Sequence, residues 1–241
     1  MFAGDIRKAA SIVIDEIRHS ERHNHCISAT GAHGLVTAHS DPTLKRVLTA
    51  FYMNLPDGMP TVWVGRFKGE KQMQRCYGPD FFAEVMESTA NTPVRHYFCG
   101  GKPGVAEELQ RICGQKFNNS RVVGTFCPPF RELSDGEFRA LADQINALDV
   151  NVVWVGISTP KQEKFAHRLA QYTNVHFIVT VGAAFDFHIG NVRQAPGFLQ
   201  KAGLEWAFRL CVEPQRLWKR YVQVVPLFIY YNFLNLTRSK L

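Results

Sequence analysis

The chain has no CxxC pair, no HExxH and no Cys/His cluster at metal spacing among its nine histidines. A structural zinc site is therefore not expected. Its six cysteines, at 26, 76, 99, 113, 127 and 211, are scattered. In a chain of this size they read as reduced, mostly buried thiols, which points to a reducing compartment. No window holds 18 uninterrupted apolar residues, so no transmembrane helix is expected. The opening stretch MFAGDIRKAASIVIDEI lacks a long apolar core and does not read as a secretory signal. Repeats and low-complexity linkers are absent, and charged residues make up only 20%, which excludes a disordered chain.

What is present is apolar and aromatic: 241 residues, 46% hydrophobic and 12% aromatic. That is enough for one well-packed domain with an appendage. Short apolar runs alternate with helix-like stretches, the pattern of βαβ units and a parallel sheet. The runs at 33–38, 94–99, 121–126, 151–156 and 175–181 are predicted strands, nearly continuous in apolar residues as strands covered on both faces should be. Ser40-Asp41-Pro42 predicts a capped helix start, and Ser134 with Glu137 a capping box. Thr159-Pro160 predicts a helix through KQEKFAHRLAQY in the same way. The expected fold is α/β and Rossmann-like: a mainly parallel sheet flanked by helices, over residues 1–196, with a C-terminal helical appendage over 197–241.

That appendage carries most of the net charge of +7: from residue 201 onward seven Lys and Arg stand against Glu205 and Glu213 alone. A local basic excess implies an anionic partner, whether phosphates, a nucleic acid or a membrane surface. Pro214 is expected to end one helix and start the next. The stretch VQVVPLFIYYNFLNL either lies on a bilayer surface or forms the last core helix.

In a doubly wound sheet, ligands bind beyond the carboxyl ends of the strands. Three corners fall there. CGGKPGVAEEL, with Gly100 and Gly101, is either a tight turn or a phosphate seat made of free backbone N–H groups at a helix start. VGISTPKQEKF puts Gln162 and Glu163 in a first helical turn; Glu163 favours the helix dipole, whereas Gln162 has an amide free to reach the crevice. TVGAAFDFHIG holds Asp186 between Phe185 and Phe187, where it either bonds backbone or takes a sugar hydroxyl. Asp57 in LPDGM is either part of a turn or, in apolar surroundings that raise its pKa, a general base. Thr37 and His39 are expected to end the first strand beside it. Arg209, Glu213, Arg216 and Arg220 share one face of an unbroken helix, either solvated or forming a phosphate clamp.

These pieces occur together in one order: TAHSDP, LPDGM, GGKPGVAEEL, VGISTPKQEKF, VGAAFDFHIGNVRQAP and GLEWAFRLCVEPQRLWKRY. The combination resembles the WecG/TagA/CpsF family of bacterial glycosyltransferases, from about residue 33 to 225. The resemblance implies transfer of a sugar from a nucleotide diphosphate, commonly UDP, to a polyprenyl-diphosphate-linked sugar, with inversion, no metal and no cofactor beyond the donor. It implies peripheral attachment to the cytoplasmic face of the bacterial membrane, products destined for cell-surface polysaccharide, and room for a homo-oligomer. Carried over by residue, Asp57 matches the catalytic base and Thr37 its pocket neighbour. Gln162 matches a sugar- or nucleotide-contacting residue, Gly100, Gly101 and Asp186 the nucleotide side, and Arg209, Arg216 and Arg220 the arginines that close over the diphosphate. Two departures stand out: His39 where the family usually has Asn, and Gln194-Ala195-Pro196 with Arg193 one position early.

The alternative is an NAD(P)-dependent Rossmann oxidoreductase. It requires GxGxxG after the first strand, and HGLVTAHSDP has no such glycines. A nucleic-acid reader would interleave aromatics with Lys and Arg; here the aromatics run as one apolar block, so nucleic acid is not an expected partner.

Overall fold

The computed structural model describes residues 1–238, apart from the side chains of Lys201, Arg216 and 235–238. Six strands form one sheet in the order β2-β1-β6-β5-β3-β4, and every pairing is parallel. They are β1 (His25–Thr30), β2 (Met53–Pro56), β3 (His96–Gly100), β4 (Val122–Phe126), β5 (Val152–Gly156) and β6 (Phe177–Thr180). Parallel strands require a crossover between them, which the helices supply. Preceding β1 is α1 (Ile6–His19), followed by α2 (Ala32–Ser40) and α3 (Pro42–Ala50). Next come α4 (Met59–Phe67), α5 (Gly78–Ser88), α6 (Val105–Lys116), α7 (Asp135–Ala147) and α8 (Lys161–Leu169). The last are α9 (Ala184–His188), α10 (Gly197–Lys201), α11 (Glu205–Val212) and α12 (Pro214–Arg238).

Period-2 alternation sends successive side chains to opposite faces, and both faces are covered. Phe98, Trp154, Phe177 and Val179 pack with Phe81, Phe82 and Phe185 on one side. Tyr97, Val153, Val155 and Ile178 pack with Leu44, Val47, Phe138 and Leu141 on the other. Each large side chain fully removed from water contributes about 1.5–3 kcal/mol. The one imidazole inside this layer, His96, is partnered: Trp154 Nε1 donates to its Nδ1 at 3.2 Å, and its Nε2 lies 2.9 Å from Thr89 Oγ1. Burial pushes His96 down to about 3, so it stays neutral.

Four of the five expected strands are present, each starting one or two residues later than expected. The fifth is corrected: 33–38 lies inside α2, and the strand is the preceding segment, His25–Thr30. A short apolar run fits a buried helix as well as a strand, and HCISAT hides its strand under a His, a Ser and a Thr. The edge strand β2 was not foreseen either. It has four residues and ends in Pro56, which an edge tolerates.

The capping expectations hold at two helices. Asp41 Oδ1 accepts from the N–H groups of Thr43 and Leu44, at 2.9 and 3.0 Å. Ser134 and Glu137 form the reciprocal box. At α8 the N-cap is Pro160, without a side-chain bond to the backbone; the Thr159 hydroxyl turns to Glu163 instead.

Pro214 opens α12, as expected. One face of α12 packs on α2, with Val224 and Phe228 against Val36, while Trp218, Val222, Ile229 and Phe233 stand exposed. Among the described residues no helix is long and apolar enough to cross a membrane. Four cysteines are buried thiols, Cys127 is half-buried, Cys211 is exposed, and all six are free.

Candidate active site

The carboxyl ends of the strands open into a cavity of about 1360 Å³, larger than the roughly 300–1,000 Å³ of a single small-molecule site. Its floor comes from the corners after β1, β2, β5 and β6, and part of its wall from α11 and α12.

Asp57 stands in the corner after β2. Its backbone N–H donates to Thr30 O at 3.2 Å, extending the β1–β2 ladder by one residue. Gly58 then takes φ +99° as N-cap of α4, a conformation that favours glycine. The turn and the general-base readings of this stretch are thus compatible, since the turn is what aims the carboxyl into the cavity. Asp57 is pushed up to about 7, first by desolvation and then by the Glu205 carboxylate; Arg75 and Arg209 pull it down, and Asp80 adds a further push up. A carboxyl poised near neutrality can exchange a proton with a bound hydroxyl.

Around it stand two guanidinium groups. Arg75 Nη2 donates to Glu205 Oε2 at 2.8 Å, and Nη1 to Gln200 Oε1 at 3.1 Å. Its Cζ lies 4.3 Å from the centre of the Tyr77 ring. Arg209, on α11, lies over Phe187 at 5.4 Å and 3.7 Å from Glu213 Oε2. Among the described residues, Arg75 Nε and Arg209 Nε are buried without a hydrogen-bond partner, and the Tyr77 hydroxyl faces the Glu205 carboxylate. Two orphaned guanidinium nitrogens beside one carboxyl suit a site for an anionic, hydroxyl-bearing ligand. The Tyr77 hydroxyl is also strongly raised, by burial and then by Glu205 and Asp57, so it is a neutral donor. Arg220, on α12, lines the cavity. Its charge adds to burial in holding His33 down to about 4. The Arg216 side chain lies outside the described residues.

The Gln162 corner is closed in on itself. Gln162 reaches the cavity, but its Oε1 accepts from Gly182 N–H at 3.0 Å and its Nε2 donates to Glu163 Oε1 at 2.9 Å. Thr159 Oγ1 at 2.9 Å and Ser28 Oγ at 3.4 Å donate to that same oxygen. Glu163 is buried, its Oε2 has no partner, and desolvation raises its pKa. The helix-dipole reading of Glu163 thus gives way to a second role: it knots the corners after β1, β5 and β6 together and fixes the Gln162 amide. What Gln162 presents to the crevice is a held amide, not a free one.

The other expected residues divide. Asp186 lines the cavity on α9. Its Oδ1 accepts from Asn191 Nδ2 at 3.3 Å, and its second oxygen has no such bond among the described residues. Gly101 lines the cavity, but its N–H donates to Gly156 O at 3.0 Å and is spent before any phosphate arrives. Gly100 lies outside the lining, with φ +139°; a Cβ there would stand 2.5 Å from Gly156 O. Its glycine is what lets β3 and β5 meet at that end.

Thr37 and His39 are corrected. Both sit on α2 and neither lines the cavity. Thr37 Oγ1 donates to His33 O at 2.8 Å, and the exposed His39 ring stacks 3.7 Å from that of Tyr231. The error follows from the strand: with β1 ending at Thr30, the pocket neighbours of Asp57 are Ala29, Gly31 and His33. Arg75, Tyr77 and Glu205 went unrecognised. RCYG matches no motif, and only the fold brings it to Asp57.

A parallel sheet with its cavity at the carboxyl ends, a carboxyl poised near neutrality and guanidinium groups facing it, defines an α/β group-transfer enzyme. The chain matches the family described as Glycosyl transferase WecG/TagA/CpsF over residues 3–241 and belongs to that family; it is a glycosyltransferase. Two curated relatives carry the same name, N-acetylglucosaminyldiphosphoundecaprenol N-acetyl-beta-D-mannosaminyltransferase. The one from Bacillus spizizenii is 30% identical over 191 residues, covering 78% of this chain and 70% of the relative. That from Bacillus subtilis is 28% identical over 181 residues, covering 74% and 67%.

Proposed function

We propose that this protein transfers an N-acetylhexosamine from its UDP derivative to N-acetylglucosamine carried on a polyprenyl diphosphate, with inversion and without a metal ion. The observation that carries the reading is Asp57 at about 7, inside a cavity that Arg209 and Arg75 share. Asp57 accepts the proton of the acceptor hydroxyl as that oxygen bonds to the anomeric carbon. The bond from that carbon to the UDP oxygen breaks on the opposite face, and the electron pair leaves with the diphosphate. Arg209 and Arg220 supply the positive potential that the departing charge needs. Asp186 takes a hydroxyl of the nucleotide or sugar, and the fixed Gln162 amide orients the donor. The name that both relatives carry supports the acceptor class and the mannosamine donor.

The second half of the reading is attachment to the inner face of the cytoplasmic membrane. The exposed Trp218, Val222, Ile229, Tyr230 and Phe233 of α12, beside Lys219 and Arg220, suit the boundary between headgroups and acyl chains. The test is transfer from UDP-N-acetylmannosamine to a short-chain polyprenyl-diphosphate N-acetylglucosamine, with and without EDTA, in the presence of anionic vesicles. Disaccharide formation that persists in EDTA supports the proposal. Loss of transfer in EDTA, restored by a divalent cation, refutes metal independence; a thermal shift with NAD but none with UDP refutes the donor class.

A further inference from the structure

Glu205 opens α11, outside the sheet, yet its side chain is only 15% exposed and that of Arg75 only 14%. The single guanidinium of Arg75 holds both sides of a junction. On the C-terminal side it bonds Glu205 and, on α10, Gln200. On the core side it covers Tyr77 and lies 3.8 Å from Asp80 Oδ2. Gln200 in turn donates from Nε2 to Ala195 O at 2.7 Å, tying α10 to the chain that leads into it. Arg209 stands four residues after Glu205 on the same helix, one turn along the same face. Wherever Arg75 fixes Glu205, it fixes Arg209.

We propose that Glu205 is a positioning residue for the transfer reaction: clamped by Arg75, it locks α11 so that Arg209 faces Asp57, and it sets a second carboxylate beside that base. The proposal rests on the reading of Asp57 as the base. The groups facing Asp57 are Glu205 and Arg209 from α11, Arg75, Cys76 and Tyr77 from the connection between α4 and α5, and Asp80 from α5. Among these, Glu205 is the largest electrostatic push on the Asp57 proton, second only to desolvation. It comes from a helix outside the sheet, so its push reaches Asp57 only when that helix is docked.

The test compares Glu205→Gln with Glu205→Ala. The amide keeps an oxygen for Arg75 and removes the charge; the methyl removes both. In Glu205→Gln the acidic limb of kcat/KM against pH should move down by roughly half a pH unit or more, with KM little changed. In Glu205→Ala the limb should move as far, KM should rise, and limited proteolysis should cut 197–238 faster, while the main melting transition stays. An unmoved limb in Glu205→Gln, or an equally resistant tail in Glu205→Ala, overturns the proposal.

Asp57 titration is also readable without turnover, as the pH-dependent difference in melting temperature between the native protein and Asp57→Asn. Repeating that difference in the Glu205→Gln background must shift it to lower pH, and no shift overturns the proposal. These stability and proteolysis readouts stand even if no sugar is transferred, which would refute the proposed reaction alone.

Discussion

Two carboxyls, Asp57 and Glu163, stand at the carboxyl end of one sheet, and desolvation raises both. Their surroundings differ. Glu163 is held by the Thr159, Gln162 and Ser28 donors on a single oxygen. Asp57 is flanked by two guanidinium groups whose Arg75 Nε and Arg209 Nε lack partners among the described residues. Burial alone raises a carboxyl's pKa. What separates a structural knot from a chemical centre is whether the neighbours' hydrogen-bonding capacity is already spent.

Substitutions can break that contrast. Asp57→Asn should lose about 10²–10⁴-fold in kcat, measured by transfer to the lipid-linked acceptor, and a smaller loss would move the base elsewhere. Arg209→Ala should cost about 3 kcal/mol of barrier, roughly a hundredfold in kcat, with the melting temperature little changed. Glu163→Ala should act the other way round: it strands the Thr159, Ser28 and Gln162 donors and should cost about 1–3 kcal/mol of stability, read by chemical denaturation.

Asp57 should also tax the fold. The folded protein keeps this proton from 3.8 up to about 7, an interval in which the unfolded chain has already released it. The native state therefore binds more protons there, and stability falls as pH rises through the interval. Asp57→Asn removes that loss, so above pH 7 its melting temperature should exceed that of the native protein, at roughly 2–4 °C per kcal/mol regained. An active site whose base is stabilised at the expense of the fold is a common trade. The smallest effect is expected for Glu163→Gln, which still offers one oxygen to the three donors and should change stability by less than about 1 kcal/mol.

The contrast between the corners was only half legible in the residues. Motif order pointed to Asp57, Gln162, Asp186 and Arg209, and the structure gathers all four around one cavity. Thr37 and His39 were misplaced because an apolar run reads alike in a buried strand and a short helix. Arg75 was invisible: its meaning comes from Glu205, 130 residues along the chain, and no local pattern encodes so long a contact. The choice at Gly101 between a tight turn and a phosphate seat stayed open because a sequence does not say which carbonyl has claimed its N–H.

Local physics in the chain itself determined the parallel α/β sheet, the caps at Asp41 and Ser134, the break at Pro214, the Asp57 carboxyl at a strand-end corner and the arginines of the C-terminal helices. These depend on periodicity, fixed dihedrals and nearest neighbours, which a linear string carries. Only the tertiary structure decided which carboxyl is tied into a knot of donors and which faces guanidinium groups across a cavity, because proton affinity is set by the dielectric and the charges that distant segments bring within a few ångströms.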